Sequence, residues 1–192
     1  MSATPKILAF AGSARTGSFN KQFLHVGVAT ARSAGAEVTT VDLREYSLPL
    51  YDGDLEAREG LPESARRLKT LFLAHQGLLI ASPEYNSSMT GVLKNTIDWV
   101  SRSAPEEAPL VCFRGKIAGL LSASPGVLGG LRSLVHVRSM LGNIGVLVIP
   151  EQVALPRAHE AFTPEGALKD AKTQAAVEQL VHRLTKLLVQ IR

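Results

Sequence analysis

The sequence has few of the features that mark a disulfide scaffold, a cysteine-based metal protein or a membrane protein. It contains one cysteine, Cys112, among 192 residues, so neither an intramolecular disulfide nor a cysteine cage for a metal can form. No apolar run approaches the ~20 residues that span a bilayer, and no long apolar segment near the N-terminus predicts a signal peptide. We therefore expect a cytoplasmic protein, in a reducing compartment, with no membrane partner.

Charge and aromatic content also argue against a nucleic-acid partner. Aromatic residues make up 5% of the chain, and the net charge of +4 comes from scattered lysine and arginine residues. The densest basic group is Arg66, Arg67 and Lys69, whereas a nucleic-acid binder usually carries a basic stripe. The charge instead indicates a solvated surface with some attraction for anionic ligands.

The sequence does contain a regular alternation of short apolar runs and amphipathic segments, which predict five strands and five helices. Because the strands are apolar throughout, both faces of the sheet should be covered, as in a parallel sheet of a doubly wound α/β domain. We expect residues 1–192 to form one such domain. The predicted strands are Lys6–Ala11, Glu37–Val41, Gly77–Ala81, Lys116–Ser122 and Gly145–Ile149, and the predicted helices are Phe19–Ser33, Pro62–His75, Met89–Ser101, Gly130–Leu141 and Pro164–Gln190.

The loop after the first strand has the composition of a phosphate site. Ligands of doubly wound domains bind beyond the carboxyl ends of the strands, and this loop places hydroxyl, amide and guanidinium groups there, just before a helix. Helix N-termini and arginine side chains both bind phosphate. The loop is not a P-loop, because Ser18 and Phe19 stand where Lys and Ser/Thr are required, and no G-x-G-x-x-G occurs. Simple capping by Ser18 is the alternative, but it does not account for so many donors.

The loops after the third and fourth strands add groups suited to a flat ring. Pro83 stiffens the first of these loops, and Tyr85 and Asn86 could lie against a planar ring and bond to its edge. In the second loop, small residues around Gly126 let the backbone approach a ligand closely. An ordinary proline-containing loop and a flexible turn are the respective alternatives.

Taken together, these stretches resemble the NADPH-dependent FMN reductase family, which also holds quinone, azo-dye and chromate reductases. The resemblance runs from about Lys6 to Glu151 and implies a flavodoxin-like fold, three-layer α/β/α with a five-stranded parallel sheet. The matching pieces are Gly12-Ser13-x-Arg15-x-x-Ser18-x-Asn20, Pro83-Glu84-Tyr85-Asn86, Gly91-x-x-Lys94-Asn95-x-x-Asp98-Trp99, and Ser122-Ala123-Ser124 with Gly129-Gly130.

The resemblance also implies a cofactor, a reaction and a set of binding residues. FMN would pass hydride from NADPH or NADH to a quinone, free flavin or related small acceptor, without a side-chain acid or base or a metal. A homo-oligomer, dimer or tetramer, is expected. The residues implied to hold the FMN phosphate are Ser13, Arg15, Ser18, Phe19 and Asn20; those implied to meet the isoalloxazine edge are Pro83, Glu84, Tyr85, Asn86 and Ser87, with Ser124 and Gly126 nearby.

One residue departs from this expectation, and one rival function stays open. Pro125 lies in the loop after the fourth strand, where a backbone N–H donor would be expected, and proline has none. The rival is a flavodoxin-type FMN electron carrier without pyridine-nucleotide turnover. Such carriers are typically acidic, whereas this chain has a sequence pI of about 9.4.

Overall fold

The computed structural model describes residues 4–191 and contains a five-stranded parallel sheet with the order β2-β1-β3-β4-β5. This is the strand order of flavodoxin-like domains, in which the order reverses between β1 and β3. The strands are β1 Lys6–Ala11, β2 Glu37–Val41, β3 Gly77–Ala81, β4 Ile117–Ala123 and β5 Leu147–Leu155, and the helices are α1 Phe19–Ser33, α2 Gly53–Glu59, α3 Glu63–Ala74, α4 Gly91–Val100, α5 Leu131–Asn143 and α6 Ala171–Gln190.

Two hydrophobic cores cover the two faces of the sheet. On one face, α1 and α6 pack through side chains such as Phe23 and Leu184 against alternate strand residues such as Leu79. On the other face, α3, α4 and α5 pack against the intervening residues, among them Phe10 and Ile80. Because β1, β3 and β4 are buried on both faces, their continuous apolar runs follow directly from the three-layer arrangement.

The structure differs most from the predicted elements at three places, and the other bounds agree to within two residues. The described chain has six α-helices rather than five, because α2 carries no buried residue and so leaves no apolar spacing to read. The last helix begins at Ala171, capped by Asp170, and not at Pro164. The last strand continues to Leu155, past a register irregularity opposite β4. In the part of the chain that the structure describes, none of the helices combines the length and apolarity needed to cross a bilayer.

Candidate cofactor site at the carboxyl edge of the sheet

The three loops singled out in the sequence meet in one small cavity of about 80 Å³ beyond the ends of β1, β3 and β4. Asn86, Ser87 and Gly126 are implied site residues that do not line it. The other nine do, together with Ala123 and Pro125: Ser13, Arg15, Ser18, Phe19, Asn20, Pro83, Glu84, Tyr85 and Ser124.

The loop after β1 turns its donors toward this cavity. Ser18 is the N-cap residue of α1 but makes no capping hydrogen bond with its side chain in the described structure, so the first-turn N–H groups of the helix stay available. The Ser13 hydroxyl accepts the Arg15 N–H at 3.3 Å, which leaves its own proton free to donate. The Arg15 guanidinium carbon lies 5.8 Å from the centroid of the Phe19 ring. Hydroxyl, N–H and guanidinium donors thus surround the start of α1.

Contacts with α4 fix the path of this loop. The Thr90 hydroxyl donates to the Gly12 carbonyl at 2.6 Å and accepts the Leu93 N–H at 3.2 Å, so it caps α4 and holds the loop at once. A Cβ at Gly12 would lie 2.9 Å from the Leu93 Cβ. The end of β1 therefore packs on α4 at a distance that only glycine permits.

Asn20 has a structural role that the sequence did not reveal. Its side chain is buried, donates to the Ala123 carbonyl at 2.7 Å and accepts the Ala123 N–H at 3.0 Å. This pair of bonds joins the start of α1 to the end of β4 across the site. The side-chain amide is thus engaged within the protein, and the Asn20 backbone N–H, in the first turn of α1, is the group that could face an anion.

The loop after β3 ends in a tight turn with strained backbone. Tyr85 and Ser88 exchange both backbone hydrogen bonds, at 2.9 and 3.0 Å. The two residues between them, Asn86 and Ser87, have positive φ values of 50° and 64°, a conformation that non-glycine residues adopt rarely. On α5, the His136 Nδ1 lies 2.8 Å from the Ser88 hydroxyl. The turn is therefore held from both sides, and its exposed Tyr85 stands at the mouth of the cavity.

Glu84 is the carboxylate among the cavity-lining residues, and its charge is already paired. One oxygen accepts the Arg132 N–H at 3.0 Å, which caps α5, and the other accepts the Arg132 Nε at 2.7 Å. The side chain of Glu84 is only 8% exposed. Because both oxygens are engaged, Glu84 anchors the loop to α5 and does not offer an unpaired negative charge to an anionic ligand.

The loop after β4 contributes shape more than backbone donors. The N–H groups of Ala123, Ser124 and Gly126 all bond within the protein, to Asn20, Leu155 and Ser124 respectively, and Pro125 has none. The Ser124 hydroxyl accepts the Gly126 N–H at 3.1 Å and so keeps its proton for a ligand. The absence of a donor at Pro125 thus fits a loop whose neighbouring donors are also engaged.

Two charged residues near the first loop were not predicted. Arg44 follows β2 and donates through Nη1 to the Thr16 hydroxyl. Beside it, Lys21 Nζ lies 2.7 Å from both oxygens of Asp42. Burial alone would raise the pKa of Asp42, but the bonds from Lys21 and from the Arg44 backbone N–H outweigh it and hold the pKa below its ordinary value. The carboxylate is therefore ionised and paired with Lys21, and Arg44 forms no ion pair among residues 4–191.

The remaining matched motif, on α4, proves to be structural. Asn95 accepts the Tyr51 N–H at 2.8 Å and donates to the Pro49 carbonyl at 2.9 Å, and the Trp99 Nε1 donates to the same carbonyl at 2.8 Å. Trp99 is fully buried and packs with Leu61 and Ala65. The motif therefore holds the segment before α2 in position.

Cys112 is also a core residue. Its side chain is buried beside the second core, and burial raises the pKa of the thiol above its ordinary value. A protonated, inaccessible thiol is neither a nucleophile nor a metal ligand. Within residues 4–191, no cluster of three or more His, Cys, Asp or Glu side chains could hold a metal ion.

The cavity suits FMN by the chemistry of its donors. Around the start of α1 it offers hydroxyl groups, N–H groups and the Arg15 guanidinium. The carboxylate of Glu84 is already paired with Arg132 and so does not repel an anion. This combination favours a phosphate group. Toward β3 the cavity lining includes Pro83 and the exposed Tyr85, beside which a ring system larger than the cavity itself would lie. Ser13, Arg15, Ser18 and the first turn of α1 would hold the phosphate, and the turn after β3 would meet the ring.

Comparisons with known proteins agree with this chemistry. A family model of NADPH-dependent FMN reductases matches residues 5–160. An NAD(P)H-dependent FMN reductase of Pseudomonas aeruginosa is 37% identical over 185 residues, which cover 96% of this chain and 95% of that protein. A quinone reductase of Escherichia coli is 35% identical over 150 residues, covering 78% and 76%.

A solved structure extends the agreement to the fold. A flavoenzyme NAD(P)H:(acceptor) oxidoreductase from Paracoccus denitrificans superposes with a TM-score of 0.80 and 27% sequence identity, over 97% of this chain and 98% of that chain. With its flavodoxin-like fold, its donor-lined cavity and these sequence matches, the chain belongs to the NADPH-dependent FMN reductase family of oxidoreductases.

Proposed function

We propose that this protein is an FMN-dependent NAD(P)H oxidoreductase that reduces quinones, free flavin or related small acceptors. The observation that carries the proposal is the meeting of the three loops in one cavity, with anion donors on one side and the exposed Tyr85 on the other. The quinone reductase of Escherichia coli supports quinone as the acceptor class. The exposed surface beside Tyr85 would admit flat molecules of several kinds in turn.

The residues of the chain have positioning and electrostatic tasks in this reaction. Bound FMN supplies the hydride-transfer chemistry. Arg15 and the start of α1 hold the phosphate, and Pro83 stiffens the loop against which the ring lies. The backbone N–H groups of Asn86 and Ser87 are not used in the two bonds that close their turn. They would stabilise negative charge that develops on the reduced ring.

A flavodoxin-type electron carrier is not favoured. The family is NADPH-dependent by its description, and the names of the Pseudomonas aeruginosa and Paracoccus denitrificans proteins include NAD(P)H, whereas such a carrier would have no pyridine-nucleotide turnover. The basic sequence pI of about 9.4 also differs from that of acidic carriers.

A spectroscopic titration in one anaerobic cuvette tests the proposed function. The purified protein, supplied with FMN and freed of excess, should show a flavin spectrum that bleaches on addition of NADPH and returns on addition of a benzoquinone. A flavin spectrum that neither NADPH nor NADH bleaches would replace the proposal by the carrier. A protein that takes up no FMN would refute both.

Removing the Arg15 guanidinium should weaken FMN binding. Arg15→Ala is expected to cost about 1.5–3 kcal/mol of binding free energy, the value of a hydrogen bond to a charged group. Titration of apoprotein, followed by quenching of flavin fluorescence, measures the change. The control is Arg58→Ala, which removes an exposed arginine of α2 that pairs with Glu59. Equal FMN affinities for the two variants would contradict the assigned role of Arg15.

We also propose a homo-oligomer, in the form of a homotetramer or a dimer. Val127, Leu128, Leu131 and Val135 are 83, 46, 42 and 59% exposed and lie together on the first turns of α5 and the loop before it. Exposed apolar groups that are adjacent in this way mark interaction surfaces. A cytoplasmic location is proposed as well, because a reducing compartment suits a chain whose one cysteine is a free thiol.

A charge in this apolar surface should break the assembly. Val135→Asp is expected to sediment as a smaller species than the parent protein, because an interface would have to desolvate the carboxylate. Val189→Asp provides a matched control, since Val189 is partly exposed on α6, away from α5. Analytical ultracentrifugation measures both variants. The proposed interface would be wrong if Val135→Asp sedimented like the parent protein.

A further inference from the structure

A second guanidinium group, besides that of Arg15, reaches the loop after β1, here called the phosphate loop, from outside it. Arg44 lies in the short 3-10 turn Leu43–Glu45, which follows β2, and its Nη1 donates to the hydroxyl of Thr16 at the tip of the loop. Arg15 lies within the loop itself and packs beside the Phe19 ring. Two arginine side chains therefore lie at this loop, Arg15 from the segment after β1 and Arg44 from the segment after β2.

Arg44 forms no ion pair with a carboxylate in the part of the chain that the structure describes. Asp42, two residues before it, is bound by Lys21 through both oxygens at 2.7 Å. It accepts the Arg44 backbone N–H at 3.0 Å, and the Arg44 guanidinium acts on it only through space. No ion pair among residues 4–191 includes Arg44. The Asp42–Lys21 pair thus fixes the turn that carries Arg44 while leaving its guanidinium charge available.

The direction of the hydrogen bond at Thr16 determines what that residue can do for a ligand. Its hydroxyl oxygen accepts from Arg44, so its own proton is left to donate elsewhere. A hydroxyl that accepts from a cation becomes a stronger donor, because hydrogen bonds in a chain polarise one another. Thr16 is exposed and lies three residues before the start of α1. A polarised O–H group at this place is suited to an oxygen of a phosphate monoester.

We infer that Arg44 is a positioning residue for the phosphate of FMN, acting through Thr16. Arg44 orients and polarises the Thr16 hydroxyl as an additional phosphate donor and adds a positive charge next to the start of α1. This inference rests on the proposed function, because it takes FMN as the ligand. The 2′-phosphate of NADPH has the same chemistry, and the two sources are separated by experiment.

The test compares FMN with riboflavin, which lacks the phosphate. Apoprotein is titrated with each flavin for the parent protein, Arg44→Ala, Thr16→Val and the double variant. Arg44→Ala should weaken FMN binding about 10-fold and Thr16→Val about 5-fold, in the range of single charge-assisted hydrogen bonds. Riboflavin affinity should stay unchanged. The double variant should lose about as much as Arg44→Ala alone, since the two residues act as one unit.

Arg32→Ala is the control for the loss of one positive charge. Arg32 lies in the last turn of α1, at the opposite edge of the sheet, and its loss should leave FMN affinity unchanged at 0.1 M salt, where charges beyond about 10 Å are screened. Steady-state KM values for NADPH and NADH are measured on the same proteins. Because Arg44 and Thr16 are exposed, the variants are expected to melt at the temperature of the parent protein.

Four results would overturn the inference. In the first, Arg44→Ala leaves the FMN affinity unchanged while Arg15→Ala still lowers it. The proposed function would then stand without the role of Arg44. Another is an unchanged FMN affinity with a raised KM for NADPH but not for NADH, which assigns the pair to the 2′-phosphate. A third is an equal loss of riboflavin affinity, and the last is an additive double variant. If the parent protein takes up no FMN, the proposed function fails as well.

Discussion

The Gly130→Ala variant is expected to lose about 2–4 kcal/mol of unfolding free energy, together with most of its affinity for FMN. Gly130 immediately precedes α5 and has a φ of +89°, a left-handed conformation that penalises any residue with a Cβ. A Cβ there would also overlap the Ser122 hydroxyl oxygen. Gly130→Ala should therefore lower the unfolding free energy for two separate reasons, one conformational and one steric.

The steric part of this cost would reach the cofactor site. The Ser122 hydroxyl donates to the Ser82 carbonyl at 2.7 Å, and the Ser133 hydroxyl lies 3.2 Å from the same carbonyl and 2.9 Å from that of Gly130. These buried bonds join β4 and α5 to the residue from which the loop after β3 departs. If the Ser122 side chain moves away from a new methyl group, the Ser82 carbonyl loses a partner and the loop after β3 loses its support.

Gly35→Ala is the matched control for the conformational cost. Gly35 follows α1 with a φ of +83°, and a Cβ there would have no heavy atom within 4 Å. Gly35→Ala should therefore cost about 1 kcal/mol and leave FMN affinity unchanged. Urea unfolding and FMN titration of both variants make the comparison. Equal urea midpoints for the two alanine variants would show that the contact at Ser122 is relieved without cost.

Local signals in the sequence predicted much of the fold. The bounds of β1, β2, β3 and α1 agree with the predicted ranges, because an apolar run or an amphipathic spacing ends there at a polar or glycine residue. The missed helix α2 buries none of its residues and is held by its Asp52 cap, so it has no apolar face to reveal it. The predicted start of α6, at Pro164, lies before the observed start, because the helix begins at its cap residue Asp170 and not at the proline.

The lining of the candidate cavity was predicted where its residues are neighbours in sequence. Ser13, Arg15 and Ser18 line the cavity, and they were singled out because a cluster of donors between a strand and a helix is visible in a short stretch. Arg44 was missed because it meets Thr16 from 28 residues away, and only the pairing of β1 with β2 brings them together. Residues that complete a site from another strand leave no local pattern to recognise.

Asn20 is a residue that the sequence singled out but to which it assigned a different role from the one its side-chain contacts indicate. Its position in the first turn of α1 suggests a phosphate ligand. Its side chain instead forms two buried hydrogen bonds to Ala123, 103 residues later. Sequence spacing identifies a residue as important to the site without telling whether it binds the ligand or holds the elements that do. Only the contact with β4 makes that distinction.

Asn20→Ala is therefore expected to act on the fold and the site together. The substitution leaves the Ala123 N–H and carbonyl without partners, and Ala123 is 3% exposed. Since an unsatisfied buried polar group costs about 1–3 kcal/mol, the variant should lose about 2–4 kcal/mol of unfolding free energy. The loops after β1 and β4 would also lose their link across the cavity, so FMN affinity should fall in the variant protein that remains folded.

Asn95→Ala separates these two effects. Asn95 also makes two bonds to backbone groups, at 2.8 and 2.9 Å, but to the segment before α2, away from the cavity. Asn95→Ala should therefore lower the urea midpoint of unfolding and leave the FMN affinity equal to that of the parent protein. If both asparagine variants lost stability but neither lost FMN affinity, the Asn20 bonds would support the fold alone. A loss of FMN affinity confined to Asn20→Ala would assign them to the alignment of the phosphate loop with the end of β4.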